Sequence, residues 1–360
     1  MKLRRLLPVV ALALVATACS GGDATNEADT PAPEETSAAA TQEETAEAQE
    51  TQEEEPSPEE LTPVSYLTSF STFGRDAYAY VAQEKGFFAD QGLDVTINPG
   101  AGSVDVIGLV AAGQADFGAA DAPTVMVVEA EQQLGVKAVA AVHQRTLSAV
   151  ATVAGTGIET PADLEGRIFS DAPGSTNRIL FPFFAEAAGF DADAVEFVPS
   201  APPDLPKLLA AGQVDAIGQF VVGRGLIESV TGDEAVFFPY GEYLPDVYGI
   251  VTVTRDELIQ SDPELVQRFV TALMQGLEYS IANPEETGEI LAQYVPEQNP
   301  AVAAGEVGLM AAYVSPEGFD AGIGSIDPDR IASMIDLLSE AGVLQGEITV
   351  DDVFAPGFVN

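Results

Sequence analysis

The chain has no tryptophan, one cysteine and one histidine in 360 residues. A single cysteine, Cys19, excludes an intramolecular disulfide. The lone histidine, His143, has no second histidine or cysteine with which to share a metal, so neither a metal site nor a catalytic histidine is expected. Positive charge is scarce too. Fourteen Lys and Arg stand against 57 Asp and Glu, a formal net charge of −43. That balance argues against nucleic acid and against anionic lipid as partners. No Gly-x-Ser-x-Gly, phosphate loop or HExxH occurs, so no cofactor is expected and the chain does not read as an enzyme. Long apolar runs are missing as well. The N-terminal one, Leu6 to Ala16, is too short to span a bilayer.

What is present at the N-terminus is a basic start (Lys2, Arg4, Arg5), that short apolar stretch, and small residues. The order is that of a secretory signal over residues 1–18. Cys19 follows Val-Ala-Thr-Ala, as in a bacterial lipobox, where the signal is cut before a cysteine that is then acylated. Ala16 stands where leucine is usual. Residues 19–62 read as an acidic tether. Positions 20–62 hold 14 Asp or Glu, no Lys or Arg and no aromatic residue, and cannot bury enough apolar surface to offset ordering entropy. As a coil this tether reaches about 35–40 Å. The remaining residues 63–360 carry −32, an acid coat suited to high salt or an alkaline surface, or simply typical of an acidic secreted proteome. Their length suits one large or two smaller domains.

One short pattern occurs twice. Residues 109–121 read LVAAGQADFGAAD, and residues 208–220 read LLAAGQVDAIGQF. Each follows a strand-like stretch, a proline (Pro99, Pro199) and a helix-length apolar segment. Gly113 and Gly212 sit where a helix ends. Asp116 and Asp215 precede short strands and are expected to satisfy local turns. Strands alternate with helices up to about residue 255, and beyond it helices punctuated by proline dominate. This pattern predicts an α/β protein of two lobes. Lobe 1 is expected over 63–150 and 251–360, and lobe 2 over 151–250. Sheets of this kind bind ligands beyond the carboxyl ends of their strands, so the cleft lies between the lobes, with a hinge near 150–155 and 246–254.

The segments AYVAQEKGFFADQGLDVTINPGAG, LVAAGQADFGAAD and TPADLEGRIF resemble the NMT1/THI5-like solute-binding proteins of ABC importers, over most of residues 63–255. The resemblance implies a type II periplasmic-binding-protein fold and an extracytoplasmic location. A small-molecule ligand and a membrane permease are the expected partners, with the protein a monomer anchored through Cys19. Many relatives carry Asp-Trp-x-Pro-Asn after the first strand, where this chain reads Tyr66-Leu67-Thr68-Ser69-Phe70. DAIGQFVVG and PYGEYLPDVYG are most similar to members that bind pyrimidines or related heterocycles. Some fungal relatives make the thiamine pyrimidine with a cysteine-rich iron-binding motif and a reactive histidine, for which this chain has no equivalent.

The expected ligand-binding residues are Ser69, Phe70, Phe73, Gly102, Ser103, Asp121, Gly174, Ser175, Thr176, Gln219, Phe220 and Tyr248. The aromatic members suit a flat ring by stacking. Gly100–Ser103 and Gly174–Thr176 open helices and can offer N–H groups. The phenylalanines serve equally as core, and Asp121 serves equally as the cap of the helix opened by Pro123. The expected ligand is a small polar heterocycle, a thiamine-pyrimidine precursor first. The alternatives are nitrate, a sulfonate or taurine, held by the Gly100–Ser103 and Gly174–Thr176 helix starts; the net negative charge opposes an anion unless cations such as Arg75, Arg145, Arg178 or Arg224 intervene. A pyrimidine-synthesis enzyme or a tethered sensor or adhesin is the reading of another class.

Overall fold

The computed structural model describes residues 61–359. The signal, Cys19 and the acidic tether up to residue 60 lie outside them. The chain folds into two five-stranded α/β sheets. In the first, the strands run in the order Leu93–Asn98, Thr62–Leu67, Phe117–Asp121, Ile250–Arg255, Val136–Ala141. The first three are parallel, and Ile250–Arg255 is antiparallel to both its neighbours. In the second, the order is Glu196–Pro199, Ile168–Asp171, Ala216–Phe220, Ser148–Val153, Ala235–Pro239. The pattern repeats: three parallel strands, then Ser148–Val153 antiparallel to both neighbours.

The reversed strand in each sheet is the one that enters from the other lobe. Ser148–Val153 pairs with Ala216–Phe220, so the first crossing occupies residues 142–147, ahead of the boundary expected at 150. The return runs through Tyr240–Gly249. Both reversed strands are almost wholly buried, which explains their near-continuous apolar sequence.

The doubled AAGQ-x-D forms the same device in both lobes. Gly113 and Gly212 adopt left-handed backbone (φ 67 and 62) and end their helices, a conformation that costs glycine nothing. Asp116 then donates its N–H to Ser65 O (3.2 Å), and Asp215 donates its own to Ile168 O (2.9 Å). Their carboxylates accept the N–H of the same two residues, at 2.9 and 2.8 Å. Their carbonyls accept the hydroxyls of Thr254 and Thr152, both at 2.7 Å. Asp116 and Asp215 thus splice a helix exit into the sheet.

The C-terminal helices Pro263–Ala282, Pro284–Tyr294, Pro300–Val314 and Pro328–Glu340 each begin with proline, where the missing N–H is not needed. The first buries Phe269 against Phe117 (centroids 3.9 Å, 8°) and Phe88. Buried apolar residues run from lobe to lobe: Val106 and Val253 join Val150 and Phe169 in one continuous cluster.

Candidate functional site

The carboxyl ends of the parallel strands in both sheets converge, and the side chains there are polar and buried. From lobe 1 come Ser69, Arg75, Asp76, Asp121, Thr124 and His143, all under a tenth exposed. From lobe 2 come Ser148, Asp171, Thr176 and Asn177, equally buried, with Gln219 and Phe220 half-buried. The lobes touch directly. Thr124 and Thr176 share a hydroxyl hydrogen bond of 3.0 Å. The Arg75 guanidinium of lobe 1 lies over the Phe220 ring of lobe 2, 4.7 Å from its centroid.

Asp121 ends a central strand and precedes Pro123. It occupies the cap position of helix Ala122–Gln132, yet its carboxylate makes no capping bond. It instead accepts Ser103 Oγ–H (3.1 Å), while its N–H donates to Ser103 Oγ (3.0 Å). Burial raises its pKa, opposed first by the Arg75 charge and then by hydrogen bonds from Ser103 and Thr176. The glycine loop before Ser103 serves this positioning. Gly102, at φ 124, donates its N–H to Ser69 O (3.0 Å), and Gly100 donates to Thr68 Oγ1 (3.3 Å). These two N–H groups, expected to meet ligand, hold the Thr68–Ser69 segment.

Arg75 sits in the 3₁₀ turn Gly74–Asp76. Its closest acid is Asp76, 3.7 Å away. Phe73 lies on it at 5.4 Å. Burial pushes Asp76 up to about 6, with Arg75 opposing. Glu306, on helix Pro300–Val314, accepts the Gly74 N–H at 2.6 Å, and burial carries it up to about 7. His143 is fully enclosed and pushed down to about 3, chiefly by burial and then by the Arg75 charge, so it is neutral at ordinary pH.

Lobe 2 is more self-satisfied. Ser175 caps helix Thr176–Ala188, accepting Arg178 N–H (3.1 Å) and donating to Asp171 Oδ2 (2.5 Å). Gly174 is an exposed turn residue. Asn177 donates to Ser148 Oγ (3.0 Å) and accepts Gln219 N–H (3.2 Å) in the amide orientation that satisfies both ends. The Gln219 side chain folds back, its Oε1 accepting the Phe220 N–H (2.8 Å).

The structure therefore brings Ser69, Asp121, Thr176 and Phe220 together, with Ser103 behind Asp121. Several of the expected residues are already engaged by other protein groups. Tyr248 is buried with its polar groups engaged by the protein, its hydroxyl accepting Asp327 N–H (2.8 Å) and its ring under Arg330 at 3.8 Å. The faces of Phe73 and Phe220 carry Arg75. Phe70 pairs with Ala101 in a two-residue ladder. Of the other arginines, Arg178 covers Phe197, and Arg224 covers Phe237 while bonding Ala235 O. Sequence reasoning missed Asn177 and Thr124, left Arg75 unplaced and gave His143 no role. Arg75 follows Ser-Thr-Phe-Gly just beyond the first strand, and a charge at a sheet's carboxyl edge was the available signal.

Among the described residues no helix is long and apolar enough to cross a membrane, and no group of three His, Cys, Asp or Glu is placed to hold a metal ion.

The family model described as NMT1/THI5 like matches residues 76–287. A formylaminopyrimidine-binding protein of Halalkalibacterium halodurans is 27% identical over 224 residues, 62% of this chain and 67% of the relative. The riboflavin-binding protein RibY of Chloroflexus aurantiacus is 25% identical over 378 residues, 100% of this chain and 98% of the relative. The alkanesulfonate-binding protein SsuA of Xanthomonas axonopodis pv. citri, bound to MOPS, superposes with a TM-score of 0.67 at 17% identity, over 82% of this chain and 98% of that one. These neighbours show a two-lobed periplasmic-binding-protein fold. The desulfurization enzyme DSZB also shares it (TM-score 0.57, 18% identity, 82% and 97% covered), so the fold alone separates no binder from an enzyme.

Proposed function

We propose, from the premise that the chain belongs to the NMT1/THI5-like family, that it is the extracytoplasmic solute-binding component of an ABC importer. One observation carries this: buried polar side chains from the carboxyl edges of two sheets meet across the lobes, with Thr124 on Thr176 and Arg75 on Phe220. A ligand held by both lobes favours their closed arrangement, the state a permease can distinguish. In this reading the protein is a monomer and not an enzyme. A lipidated Cys19 and the acidic tether keep it at the membrane.

The ligand is a small polar heterocycle, with an aminopyrimidine of the thiamine-precursor type first. Support comes from the formylaminopyrimidine-binding relative and the riboflavin-binding one. Ring stacking adds less support, since Arg75 lies over a face of both Phe73 and Phe220. The second reading, a nitrate, sulfonate or taurine binder, rests on the Arg75 guanidinium, whose Nε has no hydrogen-bond partner, and is opposed by the Asp76 and Asp121 carboxylates near it.

Calorimetry with a formylated aminopyrimidine, riboflavin, taurine, an alkanesulfonate and nitrate tests the reading. Micromolar or tighter binding of a heterocycle is expected, together with a smaller radius by X-ray scattering at saturation. Binding of the anions alone overturns the heterocycle, and absence of any binding overturns the importer assignment.

A further inference from the structure

Folding leaves a specific set of polar atoms unused. Among the described residues, the buried side-chain atoms without a hydrogen-bond partner are Ser69 Oγ, Arg75 Nε, both ring nitrogens of His143, and Thr252 Oγ1. Ser69, Arg75 and His143 lie at the carboxyl edge of the first sheet. His143 and Asp121 flank Ile250 there: His143 N–H donates to Ile250 O (3.0 Å), and Asp121 pairs with Ile250 across the ladder. Buried polar groups are normally paired, and an unpaired one costs its full desolvation. A guanidinium holds five donors in a planar fork. The Arg75 guanidinium lies over the rings of Phe73 and Phe220, which accept none of its N–H groups as a conventional hydrogen bond. Its ion contact with Asp76, at 3.7 Å, is longer than a hydrogen bond. Asp121, by contrast, accepts only.

We propose that the cleft reads its ligand in two halves: Arg75 and His143 take a carbonyl-type acceptor, and Asp121 takes an amino or ring N–H donor. The ligand class is then a neutral aminated ring bearing a carbonyl group. A bare anion fits poorly, because it meets the Asp76 and Asp121 carboxylates for one guanidinium. Neutral His143, with one N–H and one lone pair, supplies direction without charge. This inference rests on the heterocycle reading above and assigns residues to its two ends.

Two probes separate the halves: a formylated aminopyrimidine, and the same aminopyrimidine without its formyl group. In the unaltered protein, loss of the formyl group is expected to weaken binding by about tenfold to a hundredfold, the worth of a charge-assisted hydrogen bond. In Arg75→Gln that difference disappears, and Arg75→Lys restores only part of it. Asp121→Asn weakens both compounds alike. Equal affinity of the two probes for the unaltered protein overturns the inference while leaving the heterocycle reading in place, and needs no variant to fold. Taurine binding that replaces heterocycle binding, and that falls in both Arg75→Gln and Asp121→Asn, removes the heterocycle and keeps the two-ended recognition. Nitrate has no donor, so tight nitrate binding overturns both, as does silence from every probe.

Discussion

The two lobes are alike at one end of their sheets and different at the other. At the amino edge, Asp116 and Asp215 make the same bonds to a neighbouring strand and the same threonine contact. At the carboxyl edge, lobe 1 presents Arg75, Asp76 and Asp121 with polar atoms to spare. Lobe 2 presents Asp171, Ser175 and Asn177 already bound to one another and to the sheet. A repeated scaffold can therefore carry unequal chemistry. The bonds that build the α/β unit recur because the unit cannot form without them, while the opposite edge is free to vary. Lobe 1 holds the charges, and lobe 2 supplies a stiffened hydroxyl and amide surface against which they close.

The largest test of the likeness lies in the cores. Phe269 stacks on Phe117 in lobe 1, and Phe184 stacks on Tyr240 in lobe 2 at 4.4 Å and 17°. Phe269→Ala and Phe184→Ala should each cost about 3–5 kcal/mol. Because buried apolar residues run between the lobes, urea unfolding should stay a single transition in both variants. A melt that separates into two steps shows the lobes to be independent and breaks this picture.

A smaller effect separates the twin aspartates. Asp116 accepts both the N–H and the hydroxyl of Ser65, the latter at 2.8 Å, whereas Asp215 accepts one N–H from Ile168. Asp116→Ala should cost about 2 kcal/mol and Asp215→Ala about 1 kcal/mol. The order of their urea midpoints decides it, and the reverse order means the hydroxyl contact adds nothing.

The smallest effect concerns the charged edge of lobe 1. Glu306 is raised to about 7 by burial, so the folded state binds its proton more tightly than the unfolded state. That contribution is complete below the unfolded pKa and disappears as pH rises through about 7. Glu306→Gln has no such dependence. The melting temperature of the unaltered protein minus that of Glu306→Gln should therefore fall between pH 5.5 and 8.5. A constant or rising difference contradicts a buried, proton-holding Glu306.

Much of the fold was legible in the residues. AAGQ-x-D marked both helix exits, since only a left-handed glycine followed by a strand-bonding aspartate fits there. The proline-opened helices were legible because proline at a first helical position breaks no hydrogen bond. The first crossing was misjudged by a few residues: the apolar run at 147–153 reads the same whether it ends one sheet or begins another, and only its pairing with Ala216–Phe220 settles it.

The site was legible in part. Asp121 and Thr176 were found because strand ends and helix starts follow from local pattern. Tyr248 was assigned to the cleft because it lies near a crossing, but its hydroxyl and ring are taken by Asp327 and Arg330 from a helix some 80 residues later in the chain. By itself the sequence determined the α/β class, the doubled unit, the acidic charge and the absence of disulfides, because these depend on composition and on spacing within a few turns or strands. Tertiary structure alone decided that Arg75 would meet the rings of Phe73 and Phe220, that the Gln219 side chain would fold back on its own backbone, and that the His143 ring would be enclosed with neither nitrogen paired. Each of these depends on which groups two distant segments bring within hydrogen-bond or van der Waals reach.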